Sequence, residues 1–173
     1  IGILGLGYLG KHVSDVLLKL NYNVIGFKQT SIKKSKFPIF TEKKIKIFLK
    51  QSDVIISLIP LTNKTKNFIN KQFFNLMKRN TCLINVSRGE VINDNDLISH
   101  LKINKNFYAY LDVFKNEPLN KSSKFWSMPN VTITPHIAGV TEIESAVNYM
   151  FKKYKKFKSG KKINSDVNLK KGY

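Results

Sequence analysis

Ile1-Gly2-Ile3-Leu4-Gly5-Leu6-Gly7-Tyr8-Leu9-Gly10 opens the chain: an apolar run that passes directly into three glycines spaced Gly-x-Gly-x-x-Gly. The next stretch, Lys11 to Leu20, carries Val13, Val16, Leu17 and Leu20 at three- and four-residue spacing, which predicts an amphipathic helix. Asn21-Tyr22-Asn23 breaks that pattern, and Val24-Ile25-Gly26-Phe27 predicts the next strand. Strand, glycine turn, helix and strand make a βαβ unit. In that context Gly5 permits the tight turn, Gly7 lets backbone N–H groups approach a pyrophosphate, and Gly10 lets helix pack on strand. Tyr8 and Leu9 sit at the helix start, whose partial positive charge favours phosphate.

The same alternation continues downstream. Glu42 to Lys50 predicts a short helix, and Asp53-Val54-Ile55-Ile56-Ser57-Leu58 predicts a strand buried on both faces of a parallel sheet. Asn70 to Met77 and Asn93 to Leu101 predict helices, the second capped by Asn93 or Asp94. Cys82 to Val86, Phe107 to Val113 and Val131 to Thr134 predict strands. Thr141 to Lys158 predicts a closing helix with Ala146, Val147, Met150, Tyr154 and Phe157 as its apolar stripe. Short connections between alternating elements predict an α/β fold, a Rossmann-type doubly wound parallel sheet.

A dinucleotide site that takes NAD places an acid about 20 residues beyond the glycines to hold the ribose 2′-hydroxyl. Here that position falls at Lys28, and no acidic residue occurs between Asp15 and Glu42. Lys28, Gln29, Thr30 and Ser31 offer a cation and hydroxyls suited to a 2′-phosphate, so NADP(H) is favoured over NAD(H).

Three further stretches end predicted strands and converge at the carboxyl edge, where such folds bind ligands. They are Asn85-Val86-Ser87-Arg88-Gly89, Leu111-Asp112-Val113-Phe114-Lys115-Asn116-Glu117-Pro118, and Thr134-Pro135-His136-Ile137-Ala138-Gly139. Arginine, carboxylate and histidine suit the reduction of a 2-keto acid. The cation polarises the carbonyl or grips the carboxylate, and the imidazole gives the new alcohol oxygen its proton. A carboxylate beside an imidazole favours its charged form. His12 and His100 belong to no such set and read as helix-surface residues.

These motifs, in this order, resemble the nucleotide-binding domain of the D-isomer-specific 2-hydroxyacid dehydrogenases, over nearly the whole chain. Phe125-Trp126-x-x-Pro129-x-Val131-Thr132-Ile133-Thr134-Pro135-His136 and the ending Lys171-Gly172-Tyr173 are similar to the glyoxylate/hydroxypyruvate reductase A branch, which prefers NADPH. The resemblance implies that Arg88 orients the substrate, His136 is the general acid/base and Glu117 pairs with it. It further implies cofactor contacts from Val86, Ser87, Arg88, Asp112, His136 and Gly139, with Leu58, Pro60 and Thr65 lining the cofactor cleft. Residues 1–140 would form the cofactor domain, and 141–173 a helix and tail turning back toward a substrate domain absent from this sequence. A homodimer is implied as well. The alternatives left open are an NAD-linked D-lactate or D-3-phosphoglycerate dehydrogenase, and a non-catalytic, cofactor-sensing interaction protein.

Composition sets the outer bounds. The 173 residues, 42% hydrophobic, suffice for a sizeable core. The net charge of +19 invites a polyanion partner, yet Arg79 and Arg88 are the only arginines among 30 basic residues, and lysines sit on nearly every polar stretch. That distribution reads as a solvated basic surface and not as a nucleic-acid site. Cys82 is alone, excludes a disulfide within the chain and reads as a small core residue in a reducing compartment. No apolar run reaches membrane-spanning length, no metal-ligand spacing occurs, and a cytoplasmic location is the expectation. The start on Ile1, inside a strand and without Met, predicts the C-terminal part of a longer protein.

Overall fold

Seven parallel strands lie in the order β3-β2-β1-β4-β5-β6-β7 in the computed structural model, which describes residues 1–29 and 35–163. They are β1 (Gly2–Leu4), β2 (Ile25–Phe27), β3 (Ile39–Phe40), β4 (Val54–Ser57), β5 (Cys82–Asn85), β6 (Tyr108–Leu111) and β7 (Val131–Ile133). The helices are α1 (Tyr8–Lys19), α2 (Ile45–Gln51), α3 (Lys71–Leu76), α4 (Asp94–Ile103) and α5 (Ile143–Lys158). Strand order reverses between β1 and β4, which creates the crevice where doubly wound sheets take ligands. The doubly wound sheet read from sequence is thus present. β3 was not anticipated: two residues carry no periodicity, and only its pairing through Gly26 and Phe27 makes it a strand.

The register explains the two packing layers. Ile3 pairs with Ile56 and Leu4 with Ser57, so alternate residues of β1 face opposite sides. One side holds the larger core, in which Leu4, Ile55, Leu83 and Ala109 of the sheet meet Phe48, Phe74, Leu97 and Leu101 of α2, α3 and α4. The other side packs Ile3, Leu6 and Val24 against Val13 and Leu17 of α1. Val16 and Leu20, read with them as the apolar stripe, are instead 44% and 62% exposed. Asn70 caps α3 by accepting from the Gln72 and Phe73 N–H groups at 3.0 and 3.2 Å. Of the two candidates for α4, Asn93 is the cap, accepting from Asp96 N–H at 3.2 Å.

Two readings of single residues are corrected. Cys82 is a free, half-buried thiol whose pKa burial raises, not a fully buried core residue, because it lies on the β5 face opposite Leu83. His100 is not a surface residue. Its ring stacks on Phe74 at 5.0 Å and meets Phe107 edge-on at 4.7 Å, and its Nε2 is buried with no hydrogen-bond partner among the described residues. Burial lowers the His100 pKa from its ordinary 6.5. The unfolded chain therefore binds a proton there that the folded chain resists, so stability falls as pH drops through about 6.5 and continues falling until the folded value is passed. Thermal melts from pH 8 to 5 should show this slope, and His100→Phe should flatten it; an unchanged slope assigns the pH dependence elsewhere.

The chain forms two compact units, Ile1–His136 and the segment from Ile137 onward. In the second, α5 carries exposed Val147, Met150, Tyr154 and Phe157. Among the described residues no helix is long and apolar enough to cross a membrane, and no cluster of three or more His, Cys, Asp or Glu could hold a metal.

Candidate active site

The glycine turn sits at the crevice between β1 and β4. Gly5 has φ +108, and a Cβ there would lie 2.8 Å from the Leu58 carbonyl, so only glycine fits between the β1 turn and the loop after β4. A Cβ on Gly10 would come within 1.9 Å of the Gly5 carbonyl oxygen, which is the helix-on-strand approach anticipated for the third glycine. Around Gly7 nothing lies within 4 Å, and Tyr8 and Leu9 are 89% and 63% exposed. α1 starts at Tyr8, earlier than Lys11, with no side-chain cap on Gly7 and no acidic residue in its first turn. No side chain caps the first turn of α1, the arrangement a pyrophosphate fits.

Around this turn, Leu58 is fixed by donating its N–H to Leu4 O at 2.8 Å. Thr65 is buried, and its hydroxyl donates to Pro60 O at 2.6 Å while accepting from Thr62 N–H at 2.8 Å. Its hydroxyl is spent inside the loop, so Thr65 shapes the cleft wall and does not offer that oxygen to a ligand. Lys28 follows β2, half-buried, with Gln29 exposed beside it. Thr30 and Ser31 lie outside the described residues, and Gly139 belongs to the second unit.

The Arg88 loop rests on a buried polar network. Asn85, fully buried at the end of β5, accepts from Ser87 N–H at 3.2 Å and Ser87 Oγ at 2.7 Å, and donates from Nδ2 to Arg88 O at 3.1 Å. Because the single Ser87 hydroxyl proton goes to Asn85, the 3.1 Å contact between Ser57 and Ser87 has Ser57 as donor. Val86 is tied to β4 through its N–H to Ser57 O at 3.4 Å. Arg88 is exposed, with Nη1 donating to Ser87 O at 2.7 Å. Neither Asn85 nor Ser57 has a role in the motifs read from the sequence. The signal available was a polar residue closing each of two otherwise apolar strands.

Asp112, 4% exposed at the end of β6, accepts from the Thr134 hydroxyl at 2.5 Å, and its carbonyl accepts His136 N–H at 2.9 Å. The second bond holds His136 at φ 55, a conformation that costs a non-glycine residue free energy and persists only where neighbours enforce it. His136 Nδ1 lies 2.7 Å from Glu117 Oε2, and Glu117 Oε1 accepts Phe114 N–H at 2.8 Å. The carboxylate can only accept, so Nδ1 carries the proton and Nε2 is the atom left to face a reactant. The His136 hydrogen bond, then that from Phe114, hold the Glu117 carboxyl below its ordinary 4.5. Arg88, Gly89, Glu90, Lys115, Glu117 and His136 line one open cavity of about 210 Å³. The structure therefore brings the predicted Arg, Glu and His together.

A parallel sheet whose switch point carries an uncapped glycine turn, with an imidazole–carboxylate pair further along the same edge, is the architecture of a dinucleotide-binding domain. Residues 1–138 match the family profile D-isomer specific 2-hydroxyacid dehydrogenase, NAD binding domain, and the chain belongs to that family. The glyoxylate/hydroxypyruvate reductase A of Yersinia enterocolitica is 33% identical over all of this chain and 56% of its own length. Among solved structures, a D-isomer specific 2-hydroxyacid dehydrogenase from Xanthobacter autotrophicus in complex with NADPH and MES superimposes with a TM-score of 0.93 at 30% identity, over 100% of this chain and 72% of that one. An NADPH-dependent glyoxylate/hydroxypyruvate reductase from Sinorhizobium meliloti in complex with NADP and sulfate gives 0.91 at 30% identity, over 99% and 56%. The chain thus spans a little over half the length of the curated relatives it matches.

Proposed function

We propose that this chain is the cofactor-binding part of an NADPH-dependent reductase that converts a 2-keto acid, glyoxylate or hydroxypyruvate, to the 2-hydroxy acid. The observation that carries the reading is the His136–Glu117 pair at 2.7 Å, sharing one cavity with Arg88. Arg88 takes the substrate carboxylate and polarises the C2 carbonyl. Nε2 of His136 gives its proton to the carbonyl oxygen as negative charge develops there, and Glu117 fixes the tautomer and offsets the charge on the ring. When bound, NADPH would supply the hydride that C2 receives.

Glycines 5, 7 and 10, with Tyr8 and Leu9, hold the pyrophosphate in this reading, and Lys28 and Gln29, with Thr30 and Ser31, take the 2′-phosphate. Ser87, Val86 and Asp112 lie toward the nicotinamide end. That two relatives of known structure are complexes with NADP supports the choice of cofactor. Residues 141–173 return toward a substrate domain drawn from the further length that the relatives possess, and the working unit is a cytoplasmic homodimer.

Steady-state rates of the full-length protein with NADPH and NADH, against glyoxylate and hydroxypyruvate, test the reading. NADPH is expected to be preferred at least tenfold in kcat/KM, with Lys28→Asp reversing part of that preference through about 1 to 2 kcal/mol of charge interaction. A clear NADH preference in the wild type refutes the cofactor assignment.

A further inference from the structure

Lys115 stands in the cavity of Arg88 and His136, and the acid/base chemistry does not use it. Its backbone is fixed with respect to both. A Cβ on Gly89 would lie 2.0 Å from the Phe114 carbonyl carbon and 2.3 Å from Lys115 N, so the 114–115 peptide presses directly on the residue after Arg88. One residue back, Phe114 N–H is held at 2.8 Å by Glu117, whose other oxygen holds His136. The lysine thus starts from a rigid backbone on the wall of the cavity that the arginine and the histidine also line.

Its ammonium is not consumed by a partner. The ion pairs among the described residues are Lys36–Asp15, Lys78–Asp53 and His136–Glu117, and Lys115 joins none of them. The acidic groups around this region are Glu90, which lines the cavity, Asp94 at the start of α4, Glu117, and buried Asp112, whose charge acts on Glu117. Glu117 already has both oxygens engaged. Lys115 acts on Asp94 only through the longer-range charge interaction that opposes the effect of burial on that carboxyl.

We propose that Lys115 is a specificity-determining residue that receives a second anionic group on the substrate, so that the enzyme accepts 2-keto acids bearing a distal carboxylate or phosphate besides glyoxylate and hydroxypyruvate. The inference rests on the reductase reading above. A substrate held by Arg88 at its first carboxylate, with C2 at His136, directs its remaining carbons along the cavity wall. A cation there attracts an anionic substituent and is indifferent to a hydrogen or hydroxymethyl group.

The test compares full-length wild type with Lys115→Met, which keeps length and removes charge, and Lys115→Arg, which keeps charge. Rates with NADPH are measured on glyoxylate, hydroxypyruvate, oxaloacetate and 3-phosphohydroxypyruvate, the last two separating carboxylate from phosphate. The ratio of kcat/KM for the doubly anionic substrate over glyoxylate should fall about tenfold in Lys115→Met and recover in Lys115→Arg. A ratio unchanged within about twofold overturns the proposal and assigns Lys115 to balancing Glu90 and Asp94. Binding of tartronate against glycolate to the NADPH complex gives a readout that needs no turnover. Lys115-dependent preference for tartronate in a protein that reduces nothing upholds the anion subsite and sinks the reductase reading. Absence of that preference in an active wild type does the reverse.

Discussion

His136→Gln is expected to lower kcat for 2-keto acid reduction by the full-length protein by roughly 10²- to 10⁴-fold, the range over which a positioned acid/base contributes. The amide of glutamine can still donate to Glu117, so the loop and its positive-φ backbone keep a partner. It has no atom that gives up a proton near neutral pH. NADPH affinity, set mainly at the glycine turn and the loop after β2, should change by less than about threefold, or under 0.7 kcal/mol. Glu117→Gln should cost less, about 10- to 10²-fold, because the general acid survives while its tautomer and orientation are no longer enforced. The pH sign follows from the depressed Glu117 carboxyl. Its pairing is intact above the ordinary value of 4.5 and is lost only as pH falls through the lower folded value, so Glu117 remains ionised across any assay run from pH 5 upward. Glu117 therefore sets no limb in the rate profile over that range; rates of His136→Gln within threefold of wild type would remove the mechanism.

Much of the sheet was legible because its strands are apolar runs bounded by turn residues, and because the glycine spacing marks the first crossover without long-range information. What periodicity could not show is whatever depends on a neighbour distant in sequence. β3 exists through pairing with β2, and His100 is drawn between Phe74 and Phe107, one on another helix and one beyond its own. Arg88, Glu117 and His136, which the structure brings to one cavity, stand out in the sequence by type and order. The supports beneath them do not. A serine closing β4 and an asparagine closing β5 look like strand ends in the sequence, and only the fold shows that the Ser87 hydroxyl joins them under the Arg88 loop. Thr65 shows another thing the sequence conceals: its hydroxyl is committed to that loop's own carbonyl.

That hidden support gives the second large effect. Arg88→Gln is expected to lower kcat/KM for 2-keto acids by about 10²- to 10³-fold, as removal of a charged donor from a carboxylate and a developing oxyanion does. Arg88→Lys should restore little, because a single ammonium cannot reproduce the planar fork of donors. In Asn85→Asp the guanidinium stays and its platform is disturbed. Asn85 Oδ1 accepts twice from Ser87, a role that a carboxylate can keep, but its Nδ2 donates to Arg88 O, and a carboxylate oxygen there meets the carbonyl without a proton between them. The buried acceptor left unpaired costs about 1–3 kcal/mol of stability. Displacing the Arg88 backbone should raise KM for the keto acid more than it lowers kcat, because the proton donor on the β7 side is untouched. If Asn85→Asp instead lowers the melting temperature and leaves that KM unchanged, the network supports only the fold, and Arg88 holds its orientation through its own contact with Ser87 O and through the close approach of Gly89 to Phe114.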